Sequence, residues 1–166
     1  MRPHTLVAGI GNIFLGDDGF GCEVIRRLEG MDVPRGVRVV DYGIRGMHLA
    51  FDLLDGWDLM VVVDSLPGRG SPGRLEIIEI RPEHLGVGEL DAHGMAPLAV
   101  LSSLGKLGGQ LPPTVLVGVQ VGYIGDRLGL SAEVEGAVPA AVDAIQALLH
   151  SPPRASAGPG PAAEAS

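Results

Sequence analysis

Cysteine is almost missing from this chain. Cys22 is the only one in 166 residues, so no internal disulfide framework is possible, and a lone thiol suits a reducing compartment. Basic residues are outnumbered, 12 against 20 acidic, for a formal net charge of −8. That balance argues against nucleic acid or an acidic membrane as a partner and suits a basic partner or a metal ion better. Long apolar runs are lacking too: the longest have the length of strands and are broken by charge or glycine, so none reads as a membrane span. No basic segment followed by an apolar core opens the chain, which predicts no export signal and a cytoplasmic protein. Gly-x-Ser-x-Gly, His-Glu-x-x-His and paired Cys/His patterns are absent, which excludes the familiar nucleophile and zinc-helix hydrolase signatures.

What the chain does have is glycine, 26 residues of it, and short apolar runs alternating with helical patterns. Thr5-Leu6-Val7-Ala8 reads as a first strand, Gly19 to Leu28 as a helix with Phe20, Val24, Ile25 and Leu28 on one face, and Val37 to Asp41 as a second strand. A short helix carries Met47, Ala50, Leu53 and Leu54. Leu59 to Asp64 is apolar up to its last residue, as a strand covered on both faces should be. Ser65 to Gly73, rich in proline and glycine, reads as a loop, and Leu75 to Ile80 as an edge strand, possible in antiparallel pairing. Asp91-Ala92-His93-Gly94 leads into a helix with Met95, Leu98, Leu101 and Leu104. Thr114 to Gln120 is a last strand, and Ser131 is the expected N-cap of a last helix striped by Val134, Val138, Ala141, Val142, Ile145, Leu148 and Leu149. From Ser151 on, Pro, Ala, Gly and Ser dominate, so residues 1–150 are expected to form one domain and 151–166 a disordered tail.

Strand-helix alternation of this kind predicts a three-layer α/β fold with a five-stranded, mostly parallel twisted sheet, helices on both faces and one antiparallel edge strand. Ligands of such sheets gather beyond the carboxyl ends of the strands. Asp18 follows strand one, Asp41 closes strand two and Asp64 closes strand three, so the three carboxylates are expected on one rim.

The first corner, Gly9-Ile10-Gly11-Asn12-Ile13-Phe14-Leu15-Gly16-Asp17-Asp18-Gly19-Phe20-Gly21, has two glycines of a dinucleotide fingerprint but Phe14 where the third belongs. Asp17 and Asp18 also stand where a pyrophosphate needs bare amides. An anion is repelled there and a cation attracted. His93 is the histidine whose surroundings suit the same rim, and Asp18, Asp64 and His93 together make two hard oxygens and an imidazole with open positions, a donor set for Ni²⁺, Zn²⁺ or Mn²⁺. Each also has a structural reading: Asp17 or Asp18 as a helix cap, with Asp17 the stronger cap candidate; Asp64 as a hydrogen-bond acceptor for a loop; His93 as a helix-entry residue. Asp41 either lines the cleft or orders the loop at Gly43. Cys22 reads as a packing residue, Ser65 as a loop residue, and His4, His48, His84 and His150 as surface or packing residues.

The motif from Gly9 to Gly21 resembles the N-terminal signature of the [NiFe]-hydrogenase maturation endopeptidases. The likeness continues through Val61-Val62-Val63-Asp64-Ser65, Ala92-His93-Gly94, Leu116-Val117-Gly118-Val119-Gln120 and Gly129-Leu130-Ser131, and covers the chain from Thr5 to about Leu149. It implies a cytoplasmic enzyme that removes a short C-terminal extension from the hydrogenase large-subunit precursor after nickel insertion. The nickel is then supplied by the substrate, other divalent metals being possible in vitro. It further implies that Asp18, Asp64 and His93 serve as both catalytic and metal-contacting residues; the first of these positions is Glu or Asp among relatives. Where the family has Gln-Pro after the last strand, this chain has Gln120-Val121, which bears on the loop through Gly125. The alternatives are a nickel-dependent chaperone that binds the precursor without cutting it and a nucleotide-binding oxidoreductase using Gly9, Gly11 and Asp41. Neither composition nor motif sets the oligomeric state.

Overall fold

The structure, a computed structural model, describes residues 4–81, 104 and 107–153. Its elements are β1 (Thr5–Ile10), a 3₁₀ turn (Gly16–Gly19), α1 (Phe20–Glu29), β2 (Val37–Gly43), α2 (Gly46–Leu53), β3 (Leu59–Leu66), β4 (Leu75–Ile80), β5 (Thr114–Gln120) and a C-terminal α3 (Ala132–His150). The strands form one sheet in the order β2-β1-β3-β5-β4. The first four are parallel and β4 runs antiparallel to β5. This is the expected five-stranded, mostly parallel α/β sheet with an antiparallel edge. The helix expected after His93 and the tail expected beyond Ser151 lie, apart from Leu104 and residues 151–153, outside the described residues.

Period-2 alternation divides the core into two layers. Val7, Val61, Val63 and Val117 point to the side covered by α1 and α3, where they meet Phe20, Val24, Ile25, Val138 and Ile145. Leu6, Ala8, Met60, Val62 and Leu116 point to the other side and pack against Leu49 and Leu53 of α2. β3 is buried along its whole length, as its unbroken apolar run requires. Apolar burial, at about 1.5–3 kcal/mol for each Val, Leu or Ile side chain, outweighs the ion pair of Arg27 with Glu135 between α1 and α3. That pair is partly exposed and contributes about 0–1 kcal/mol.

The strand ends, the start of α1 and one cap differ from the sequence reading. β3 continues through Ser65 and Leu66, which pair with Val119 and Gln120 of β5, so Ser65 is a buried strand residue and the loop starts later. α1 begins at Phe20, after a separate 3₁₀ turn. Ser131 does stand at the N-cap of α3, with extended backbone, but its hydroxyl makes no capping bond; it is engaged elsewhere. Gly21 is where α1 crosses the sheet most closely. A Cβ there would collide with the carbonyl oxygens of Val63 and Ile10, so only glycine lets the helix seat on β1 and β3.

Candidate active site

Ile10 ends β1 and the chain turns over Gly11, whose φ of 143° favours glycine. A side chain at Gly11 would overlap the Asp18 carbonyl. The turn is closed by Asn12, whose side-chain oxygen accepts the Phe14 N–H at 3.0 Å, and it delivers Asp17 and Asp18 side by side in the 3₁₀ turn. Adjacent residues point in different directions, and the two acids have different partners.

Asp18 is half-buried. Its Oδ2 accepts the Asn12 N–H at 2.9 Å and its Oδ1 accepts the Ser65 hydroxyl at 2.8 Å. Asp64, one residue before Ser65 on β3, is only 3% exposed, and its Oδ1 accepts the Ser65 N–H at 2.7 Å. Ser65 therefore joins the two carboxylates, with its amide on one and its hydroxyl on the other. Burial pushes Asp64 well above the usual carboxylate range; the Ser65 bonds oppose this and the charge of Asp18 reinforces it.

Cys22 lies beneath the same corner. Its thiol is within hydrogen-bond reach of Asp41 Oδ1 at 3.2 Å and the Gly11 carbonyl at 3.5 Å. Burial first, then the hydrogen bond and charge of Asp41 and the charges of Asp18 and Asp64, push the thiol up to about 12. A thiol held neutral in this way is a poor nucleophile at neutral pH, in keeping with a packing role. Asp41 also accepts the Gly43 N–H at 2.9 Å, so it orders the Gly43 loop as well as bordering the cleft. A groove of about 400 Å³ runs past Ile13, Cys22, Asp41 and Leu128.

Asp17 is fully buried. It does not cap α1. Its Oδ2 accepts the N–H groups of Gly122 and Tyr123, both at 2.8 Å, and the Ser131 hydroxyl at 2.9 Å, while Oδ1 accepts the Ser131 N–H at 2.6 Å. Burial alone would raise its pKa, but these four bonds together bring it below the usual value. Gln120 ties down a second loop in a comparable way. Its side-chain oxygen accepts the N–H groups of Arg69 and Ser71 at 3.1 and 3.3 Å and holds the segment after β3.

Of the residues singled out from the sequence, the fold brings Asp18, Asp64 and Asp41 to one rim, the first two through Ser65. His93 lies outside the described residues. Among the described residues no group of three or more His, Cys, Asp or Glu is placed to hold a metal ion. His4, His48 and His150 are exposed, and His84 is outside the described residues. Two contributions escape sequence reading. Ending the strand at its first charged residue places Ser65 in a loop, and the Asp17 clamp has no local signal because all its partners come from residues 122–131.

An acidic rim at the carboxyl ends of parallel strands, beside a glycine-bearing corner, defines an α/β protein with a candidate hydrolytic site. The family model described as Hydrogenase maturation protease matches residues 22–148, and the chain belongs to that family: it is an endopeptidase of hydrogenase maturation. It is 33% identical over 147 residues to a Methanocaldococcus jannaschii protein provisionally named as a hydrogenase maturation protease, covering 87% of this chain and 95% of the relative. It is 30% identical over 153 residues to the hydrogenase 2 maturation protease of Escherichia coli, covering 89% and 91%. Among solved structures, the hydrogenase maturating endopeptidase HybD from Escherichia coli superposes with a TM-score of 0.76 at 28% identity, over 89% of this chain and 92% of that one. The hydrogenase 2 maturation peptidase from a Thaumarchaeota archaeon gives 0.69 at 35% identity, over 89% and 98%. The nucleotide-binding alternative is thereby set aside.

Proposed function

We propose that the protein removes a C-terminal extension from a [NiFe]-hydrogenase large-subunit precursor and acts only once nickel is in place, the nickel arriving with the substrate. The observation that carries this reading is the Asp18–Ser65–Asp64 arrangement, two carboxylates held on one rim by a shared serine. Asp18, Asp64 and His93 are assigned to meet the metal. Hard oxygens and one imidazole, without thiolate, make a modest site, suited to a metal met during turnover. Burial makes the charged form of Asp64 costly, and a cation brought by the precursor offsets that cost. Asp18, the half-exposed member of the pair, is assigned to accept the proton of the water that attacks the peptide carbonyl. The cytoplasm is the assigned compartment; among the described residues no helix is long and apolar enough to cross a membrane.

Mass spectrometry of the precursor's C-terminus, with and without this protein and with and without nickel, tests the proposal. Shortening only when both are present is the expected result. A precursor that binds but keeps its full length assigns the protein a chaperone role instead, and cleavage of metal-free precursor removes nickel from the mechanism.

A further inference from the structure

The Asp17 clamp does more than close a loop. It fixes two segments that carry large apolar side chains into solvent: Ile13 and Phe14 on the first corner, 48% and 64% exposed, and Tyr123, Ile124 and Leu128 after β5, 45%, 53% and 69% exposed. Backbone bonds stitch the same segments together. The Gly16 N–H donates to the Arg127 carbonyl at 2.8 Å, the Arg127 N–H to the Phe14 carbonyl at 3.1 Å, and the Asp17 N–H to the Tyr123 carbonyl at 2.8 Å. Leu15 and Arg127 form a parallel β-bridge. The Arg127 guanidinium lies 6.0 Å from the centre of the Tyr123 ring, and Ile13 and Leu128 line one groove.

Apolar side chains on a slack loop would fold back onto the protein. Here the backbone holds them out on stitched segments, and exposed apolar side chains gathered in this way mark a contact with another macromolecule. Its position says which one. Ile13 and Leu128 line the groove that Asp41 also borders, so the surface continues the rim on which a peptidase of this family must seat its protein substrate. We propose that Ile13 and Phe14 together with Tyr123, Ile124 and Leu128 form the docking surface for the folded body of the hydrogenase precursor, beside the peptide bond to be cut. Aromatic side chains in such surfaces are the usual anchors, which makes Phe14 and Tyr123 the leading ones. The inference rests on the active-site reading above and adds to it where the rest of the substrate lies.

The test uses the full chain with Phe14→Ser, Leu128→Ser and the double variant, and as a control Ile77→Ser on β4, an exposed position at the far edge of the sheet. Steady-state cleavage of nickel-loaded precursor is measured together with precursor binding by calorimetry. Each rim variant is expected to raise KM by about tenfold, with kcat within about twofold and an unchanged thermal midpoint. Calorimetry should show the same loss of affinity. KM and affinity unchanged in both rim variants, or lowered affinity equally in Ile77→Ser, would overturn the docking surface. A wild-type protein that does not cut the precursor overturns the active-site reading; the surface then stands if calorimetry still shows tight binding that Phe14→Ser weakens, and falls if it does not.

Discussion

Asp17 and Ser131, 114 positions apart in the chain, share two hydrogen bonds: the Ser131 amide and the Ser131 hydroxyl both donate to the Asp17 carboxylate, at 2.6 and 2.9 Å. Between them they join the first strand-to-helix corner to the start of the last helix. Asp17 is therefore a tie between distant segments, and its neighbour Asp18 is the candidate acid of the site.

Asp17→Asn should destabilise the protein by about 3 kcal/mol, because an amide cannot accept all four bonds and leaves buried donors unpaired. Urea unfolding followed by circular dichroism measures this; a change under about 0.5 kcal/mol would contradict the clamp.

The same residue sets part of the acid stability. Asp17 is more acidic folded than its ordinary value of 3.8, so the unfolded chain takes up the proton first. Its contribution is present above pH 3.8 and is lost as pH falls through the lower folded value. The Asp17→Asn variant should lose less stability than the wild type across that acid range, which a series of melts from about pH 5 downward compares directly.

Asp64 works in the opposite sense. Its folded pKa is raised, so the folded protein holds the proton more tightly, and stability falls as pH rises from the ordinary value of 3.8 toward the folded one. Asp64→Asn removes that cost and should raise Tm near neutral pH, while cleavage is lost. A variant that is both inactive and less stable would deny Asp64 its strained, functional placement.

Asp18→Ala and His93→Ala should each lower cleavage of nickel-loaded precursor by at least about a hundredfold. Asp18 lies on the half-buried rim and supports little of the core, so the Asp18→Ala fold is expected to stay intact by circular dichroism. Normal processing by His93→Ala would remove the histidine from the site.

Cys22, with its thiol pushed up to about 12, should resist alkylation by iodoacetamide at about pH 7.5 in the folded state and react once unfolded. Cys22→Ala should keep its cleavage activity. Intact-mass measurement after timed exposure reads the first point, and full labelling of native protein within minutes would show an ionised, accessible thiol instead.

Much of this fold is legible in the residues because its signals are local. An apolar run buried on both faces, as in β3, can be read without knowing its neighbours, and so can the stripe of α3. The placement of Asp18 and Asp64 follows from the same logic, since acids at or just beyond the carboxyl ends of parallel strands come to one rim. β3 reads two residues short in the sequence because a charged residue looks like the end of a strand when burial is judged by composition alone. In the folded chain, pairing with Val119 and Gln120 carries the strand on through Ser65 and Leu66.

Local pattern is enough to specify the α/β class, the antiparallel edge at β4 and the acids of the rim, because periodicity and strand ends are properties of neighbouring residues. Only packing in three dimensions leaves Asp18 half-exposed and buries Asp17, and links Asp18 to Asp64 through Ser65. Those choices depend on which donors arrive from elsewhere in the chain. Gly122, Tyr123 and Ser131 reach Asp17 only after β5 and α3 have packed, and a hydrogen bond across more than a hundred residues leaves no mark on the local pattern of either end.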